Sequence, residues 1–175
     1  HGYSAARRLL DNDPLQASPL VVKQAMIATR TAAYRKALVR VKRALRTLEH
    51  DQSREAAANR SRLMVPIGTV KYLQGRHVES IYWCLRAIDE ARRGDARDAL
   101  AEAYKILDLA YLENGEIEKA THAGEALAIY EELGDLRAGM VLAAVFSILL
   151  PAFEATEFRL SKLVQGWPFL VGFMD

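Results

Sequence analysis

Glycines interrupt this chain at a fixed interval. Gly75 and Gly115 stand forty residues apart, and so do Gly94 and Gly134, which are followed by Asp95 and Asp135. The stretches between them carry helical patterns, as in "EALAIYEELGD" (125–135) and "RAIDEARRGD" (86–95). The order read from the chain is helix, Gly turn, helix, Gly-Asp turn, helix, Gly turn, helix. Glycine suits these points because a helix often ends on a left-handed residue, where a Cβ would clash. Asp95 and Asp135 are then placed to cap the next helix with a side-chain oxygen. A single helical hairpin cannot bury its apolar face, whereas stacked hairpins can. The interval therefore predicts an all-α fold, an α-solenoid of antiparallel helix pairs.

Composition agrees. Ala, Leu, Arg and Glu dominate, which are good helix formers, and there are only five prolines. No stretch alternates apolar and polar residues well enough to require a strand. Core positions follow helical spacing: Met64, Ile67, Gly68 and Leu73 in one unit, Tyr104, Leu107, Tyr111 and Leu112 in the next. Ser80, Cys84 and Ala87 are small residues that let neighbouring helices approach closely. Cys84 is the only cysteine, which rules out an internal disulfide and fits a reducing, cytoplasmic setting. The N-terminus shows no signal peptide and no initiator Met, so the chain reads as a fragment or a processed product.

Charge is uneven. Residues 1–60 hold twelve Lys and Arg against five Asp and Glu, and residues 61–135 hold nine against fourteen. Such a gradient can steer partners or favour end-to-end packing of copies. Six of those twelve basic residues lie in "YRKALVRVKRALRTL" (34–48), where Arg35, Lys36, Arg40, Lys42, Arg43 and Arg46 share one arc of a helix. Ala37, Leu38, Val41, Ala44, Leu45 and Leu48 fill the other arc. A solvated outer face is the plain reading of this helix, and contact with an acidic protein surface is the alternative. Nucleic acid is not expected, because aromatic interleaving and a reading motif are absent.

The chain has no phosphate-binding glycine loop, no H-E-x-x-H and no paired cysteines. His1, His50, His77 and His122 are dispersed, and His77 is read as a packing residue. Cys84 is read as a buried small hydrophobe. The acidic pairs Asp89/Glu90 and Glu131/Glu132 read as solvated faces near helix ends. No catalytic residue, cofactor or metal site is predicted. The sixteen residues from Ala138 to Phe153 carry no charge. That run is short of the ~17–25 residues of a spanning helix and includes Pro151, so no membrane partner is expected. Trp167, Phe169, Leu170 and Phe173 add an apolar end, and a solenoid needs a polar terminal cap. These four are the predicted self-association residues, forming a homo-oligomer through the C-terminal end.

The repeat unit resembles a tetratricopeptide repeat of about forty residues. The second unit matches the family pattern with Met64, Ile67, Gly68, Gly75, His77, Ser80 and Ala87. The third matches with Tyr104, Leu107, Tyr111, Gly115, Ile117 and Ala120, but Asp108 stands where Gly or Ala is usual, and its second helix is one residue out of register near Gly124. A weaker first unit runs from Ser18 through Ala25, Ala28, Tyr34, Ala37 and Ala44 without a glycine turn. The run from Gln74 to Leu136 further resembles the repeat tails of bacterial signalling proteins that join adenylate/guanylate cyclase and P-loop ATPase domains. The resemblance implies a right-handed solenoid over residues 18–142, with 1–17 as an N-terminal helix or linker and 143–175 as a divergent apolar cap or incomplete repeat. It also implies a concave groove lined by first helices that binds a protein or peptide segment. Transferred by repeat position, the groove residues are Arg62, Val65, Thr69 and Tyr72, then Glu102, Lys105, Leu109 and Leu112. The function implied is a non-catalytic interaction scaffold, the regulatory repeat region of a larger signalling protein. The alternatives are a piece of a cyclase or ATPase whose catalytic domains lie elsewhere, or a basic helical-repeat regulator that associates with nucleic acid.

Overall fold

The computed structural model describes residues 13–149. Seven α-helices follow one another, with no strand among the described residues: α1 (Pro14–Arg30), α2 (Tyr34–Thr47), α3 (Arg54–Leu73), α4 (His77–Gly94), α5 (Arg97–Glu113), α6 (Ala123–Glu132) and α7 (Leu136–Leu149). A short 3-10 turn, Ile117–Lys119, precedes α6. Each helix packs on the next, and α1 also packs on α3, and α3 on α5. The fold is thus all-helical and repeat-like. Helix α1 runs through the boundary expected at residue 18, and α7 through the one expected at residue 143.

The turns repeat at the level of single hydrogen bonds. Gly75 and Gly115 adopt φ of +70° and +78°. In each case the next N–H reaches back five residues, Arg76 to the carbonyl of Lys71 and Glu116 to that of Tyr111, both at 2.9 Å. This is the Schellman closure of a helix. The same bond joins Asp135 to Tyr130, Ala96 to Ala91, and Ala33 to Ala28. The first hairpin therefore closes as the others do, with Ala32 at φ +56° in place of glycine. An L-residue there costs about 1–2 kcal/mol, part of which glycine returns as unfolded-chain entropy. Ala32→Gly is accordingly expected to stabilise the chain by roughly 0.5–1 kcal/mol. A urea midpoint that stays put or falls would count against this account of the turn.

Two expectations for the Gly-Asp turns need correction. Helix α4 continues through Gly94, and the left-handed residue is Asp95, at φ +55°. Asp95 does not cap α5, whose N-cap is Ala96 without a side-chain bond; its carboxylate pairs instead with Arg54. Gly94 is needed for a close approach. A Cβ on it would lie 2.2 Å from the amide nitrogen of Ala58 and 2.5 Å from its Cα. Asp135 behaves as expected and accepts the N–H of Ala138 at 3.0 Å. The left-handed residues Asp95 and Gly134 stand 39 apart rather than forty, in line with the shifted register of the third unit.

Helix α3 is the centre of the packing. Leu63, Ile67 and Val70 join the core of α1 and α2, while Ala58 and Met64 join the core of α4 to α7. Val70 is buried where Leu73 was expected, and Leu73 is exposed. Gly68 faces α4 so closely that a Cβ would meet Cys84 Sγ at 2.8 Å, and Ser80 Oγ donates to the Gly68 carbonyl at 2.9 Å. Ser80, Cys84 and Ala87 are all fully buried. Burial pushes the Cys84 thiol up to about 12, so it stays protonated and unreactive at neutral pH.

Forty residues on from Gly68, the equivalent position is held by Asp108. Asp108 is fully buried. It accepts the backbone N–H of His122 at 2.7 Å, and its other oxygen lies 2.7 Å from His122 Nδ1. The carboxylate thus satisfies a free N–H at the start of α6. The second helix of this unit is not continuous: it starts as the 3-10 turn and resumes at Ala123.

Candidate functional site

The first helices α1, α3 and α5 line an open groove with a cavity of about 350 Å³. Five of the eight predicted groove residues lie on it: Arg62, Val65, Thr69, Glu102 and Lys105. The other three, Tyr72, Leu109 and Leu112, do not line this cavity. They are half-buried against the core of the later helices, and Tyr72 meets His77 edge-to-face at 5.8 Å. Helix α1 adds Val22, Met26, Thr29 and Arg30, and α5 adds Asp98, Ala99 and Ile106. The sequence reading missed α1 because its hairpin has no glycine to set the register. The signal was present: Val22 and Met26 are apolar and lie off the buried face formed by Val21, Ala25 and Ala28.

The walls are apolar and the charges are paired. Arg62 makes a two-pronged bond to Asp98, Nε to Oδ2 and Nη2 to Oδ1, both at 2.8 Å. Burial pushes the Asp98 carboxyl up, but the Arg62 bonds and charge outweigh it and hold the group below its usual range. Lys105 donates to both oxygens of Glu102 at 2.7 and 2.8 Å. Glu102 also accepts from the Tyr130 hydroxyl at 2.7 Å. Burial, then the Glu102 charge, pushes that phenol up. Both carboxylates are therefore held in place beside Val65, Pro66 and Ile106. Met26 is 55% exposed, an apolar side chain presented to an incoming chain.

The Asp108–His122 pair is the closest approach to catalytic chemistry. His122 stacks on Tyr104 at 4.8 Å, and Tyr104 donates to Glu125 and accepts from Arg92. The bonds and stacking of His122 and the Tyr104–Glu125 bond hold α6 onto α5, while Arg92 ties α4 to Tyr104 of α5. Among the described residues no group of three or more His, Cys, Asp or Glu is arranged to hold a metal ion, and no helix is long and apolar enough to cross a membrane. The predicted self-association residues Trp167, Phe169, Leu170 and Phe173 lie outside the described residues. Comparison with protein families finds no family model that matches the chain, and comparison with curated proteins finds none that matches.

Proposed function

We propose that this chain is an interaction scaffold, a right-handed solenoid of tetratricopeptide type that holds a partner segment in the groove of its first helices. The observation that supports this most is the meeting of α1, α3 and α5 along one groove, with five of the residues that repeat position picks out. An extended or helical peptide bearing aliphatic side chains fits the apolar walls. The two fixed ion pairs select polar groups beside them, since an unpaired buried charge is costly. The chemistry is recognition without catalysis. The setting we infer is the regulatory repeat region of a cyclase–ATPase signalling protein, and sequencing the DNA on both sides of the segment tests it. Cyclase and ATPase motifs upstream would support this setting, and their absence would remove it.

The groove itself is tested with peptides selected from a displayed random library against the immobilised chain. Met26→Glu adds charge to an exposed position, so the melting temperature should hold. Affinity for the selected peptides should fall at least tenfold. Selected peptides that bind the variant as tightly as the parent would sink the groove as the site.

A further inference from the structure

A second cleft, of about 420 Å³, opens between α2 and α4. It shares no residue with the groove. Helix α3 separates the two, turning Arg60 and Met64 to the cleft and Arg62, Val65, Pro66 and Thr69 to the groove. Leu45, Met64 and Trp83 provide apolar lining. Five basic side chains (Lys42, Arg46, Arg60, Arg86 and Arg93) stand against two carboxylates, Glu49 and Glu90, a formal balance of +3. Glu90 is already bound by Arg60 and Arg93. Lys42, Arg46 and Arg86 hold no ion pair among the described residues. A neighbouring cavity of about 340 Å³ shares Lys42 and Arg46 and adds Arg35 and Arg76 beside Leu38 and Val39, with no carboxylate in its lining. The cationic arc of α2 is thus the meeting line of two cavities, each with an apolar lining and an excess of positive charge.

We propose that this α2–α4 cleft binds an acidic peptide segment of a partner protein, with a large apolar side chain seated against Leu45, Met64 and Trp83. The excess charge calls for carboxylates, which would steer and orient the segment. The apolar lining supplies the anchor that charge alone lacks. A nucleic-acid base fits less well. Arg86 lies over the Trp83 ring at 5.2 Å and Tyr82 packs on it edge-to-face at 5.6 Å, so the indole is not an open stacking platform.

The chain has two tryptophans, Trp83 and Trp167, so Trp167→Phe makes emission report on the cleft alone. The probe is a synthetic peptide of glutamates around a Leu-Phe pair, and the control replaces each glutamate by lysine. The expected result is a saturable change in Trp83 emission that weakens at least tenfold when salt rises from about 50 to about 500 mM. Lys42→Glu with Arg46→Glu should weaken it at least tenfold as well. Both residues are exposed, and an unchanged melting curve will show that the fold is kept. Met26→Glu, in the groove, should leave it unchanged. The proposal is overturned if no saturable change appears by about 1 mM peptide, if the lysine peptide binds equally, or if the double variant binds like the parent. Tighter binding of an oligothymidylate would reassign the cleft to nucleic acid. Dimerisation lost in the double variant would reassign it to a second copy.

Discussion

Replacing Gly94 by alanine is expected to lower stability by about 3 kcal/mol or more, at the top of the usual range for overpacking. The reason lies in what the added methyl would meet. The nearest atoms are the backbone nitrogen and Cα of Ala58, at 2.2 and 2.5 Å. A side chain can rotate away from such a contact, but backbone inside a helix cannot. Relief requires α3 and α4 to separate, and α3 carries parts of both cores. Trimming Ala58 to glycine should not rescue the variant, because the obstruction is main chain. Gly124→Ala is the control: a Cβ there meets nothing within 4 Å, and the change should be neutral or slightly stabilising. Urea denaturation of the three variants decides the matter. A Gly94→Ala chain with the parent's midpoint would mean that α3 and α4 do not pack this closely.

Arg60→Met should cost about 3 kcal/mol, the lower end of the range for breaking a buried ion pair. The Arg60 side chain is 8% exposed. It donates to Glu90 at 3.0 Å and to the carbonyls of Leu48 and Asp51 at 2.8 and 2.5 Å. One guanidinium thus ties α4 to the loop between α2 and α3. Its loss strands the Asp51 carbonyl, leaves the Leu48 carbonyl only the Asp51 N–H at 3.3 Å, and half-strands Glu90, which keeps Arg93 as a partner at 3.0 Å; those residual bonds set the lower figure. Adding Glu90→Leu should recover most of the loss, because the charge needing compensation is then gone. Amide exchange across residues 48–53 should rise in the single variant. A double variant as unstable as the single one would show that the carbonyl bonds, not the ion pair, dominate.

The two sides of α3 carry different loads. The side carrying Arg60 and Met64 holds loop and helix together as well as lining the α2–α4 cleft, while Arg62, Val65 and Thr69 face the groove. Substitutions in the groove should therefore alter binding with little effect on melting.

Much of this was legible in the sequence. Helix closures are local hydrogen bonds, written in residues five apart, so Gly75 and Gly115 announced their turns. The buried arc of α2 was read from spacing, with Ala37, Val41, Ala44 and Leu48 fully buried and Leu38 and Leu45 half-buried. The small positions Ser80, Cys84 and Ala87 were read in the same way. Tertiary structure decided the rest, because it depends on residues far apart along the chain. Gly94 looked like a turn residue and proved to be a packing residue, since the Ala58 backbone that crowds it lies 36 positions earlier. Ala32 closes the first hairpin without the glycine that would have marked it. Asp108 broke the repeat pattern on paper; in the fold it binds the start of α6. Helix α1 entered the groove through its packing on α3, a contact that its own periodicity cannot encode. Periodicity records which side of a helix is apolar; only the folded chain decides which neighbour covers that side and which cleft is left open.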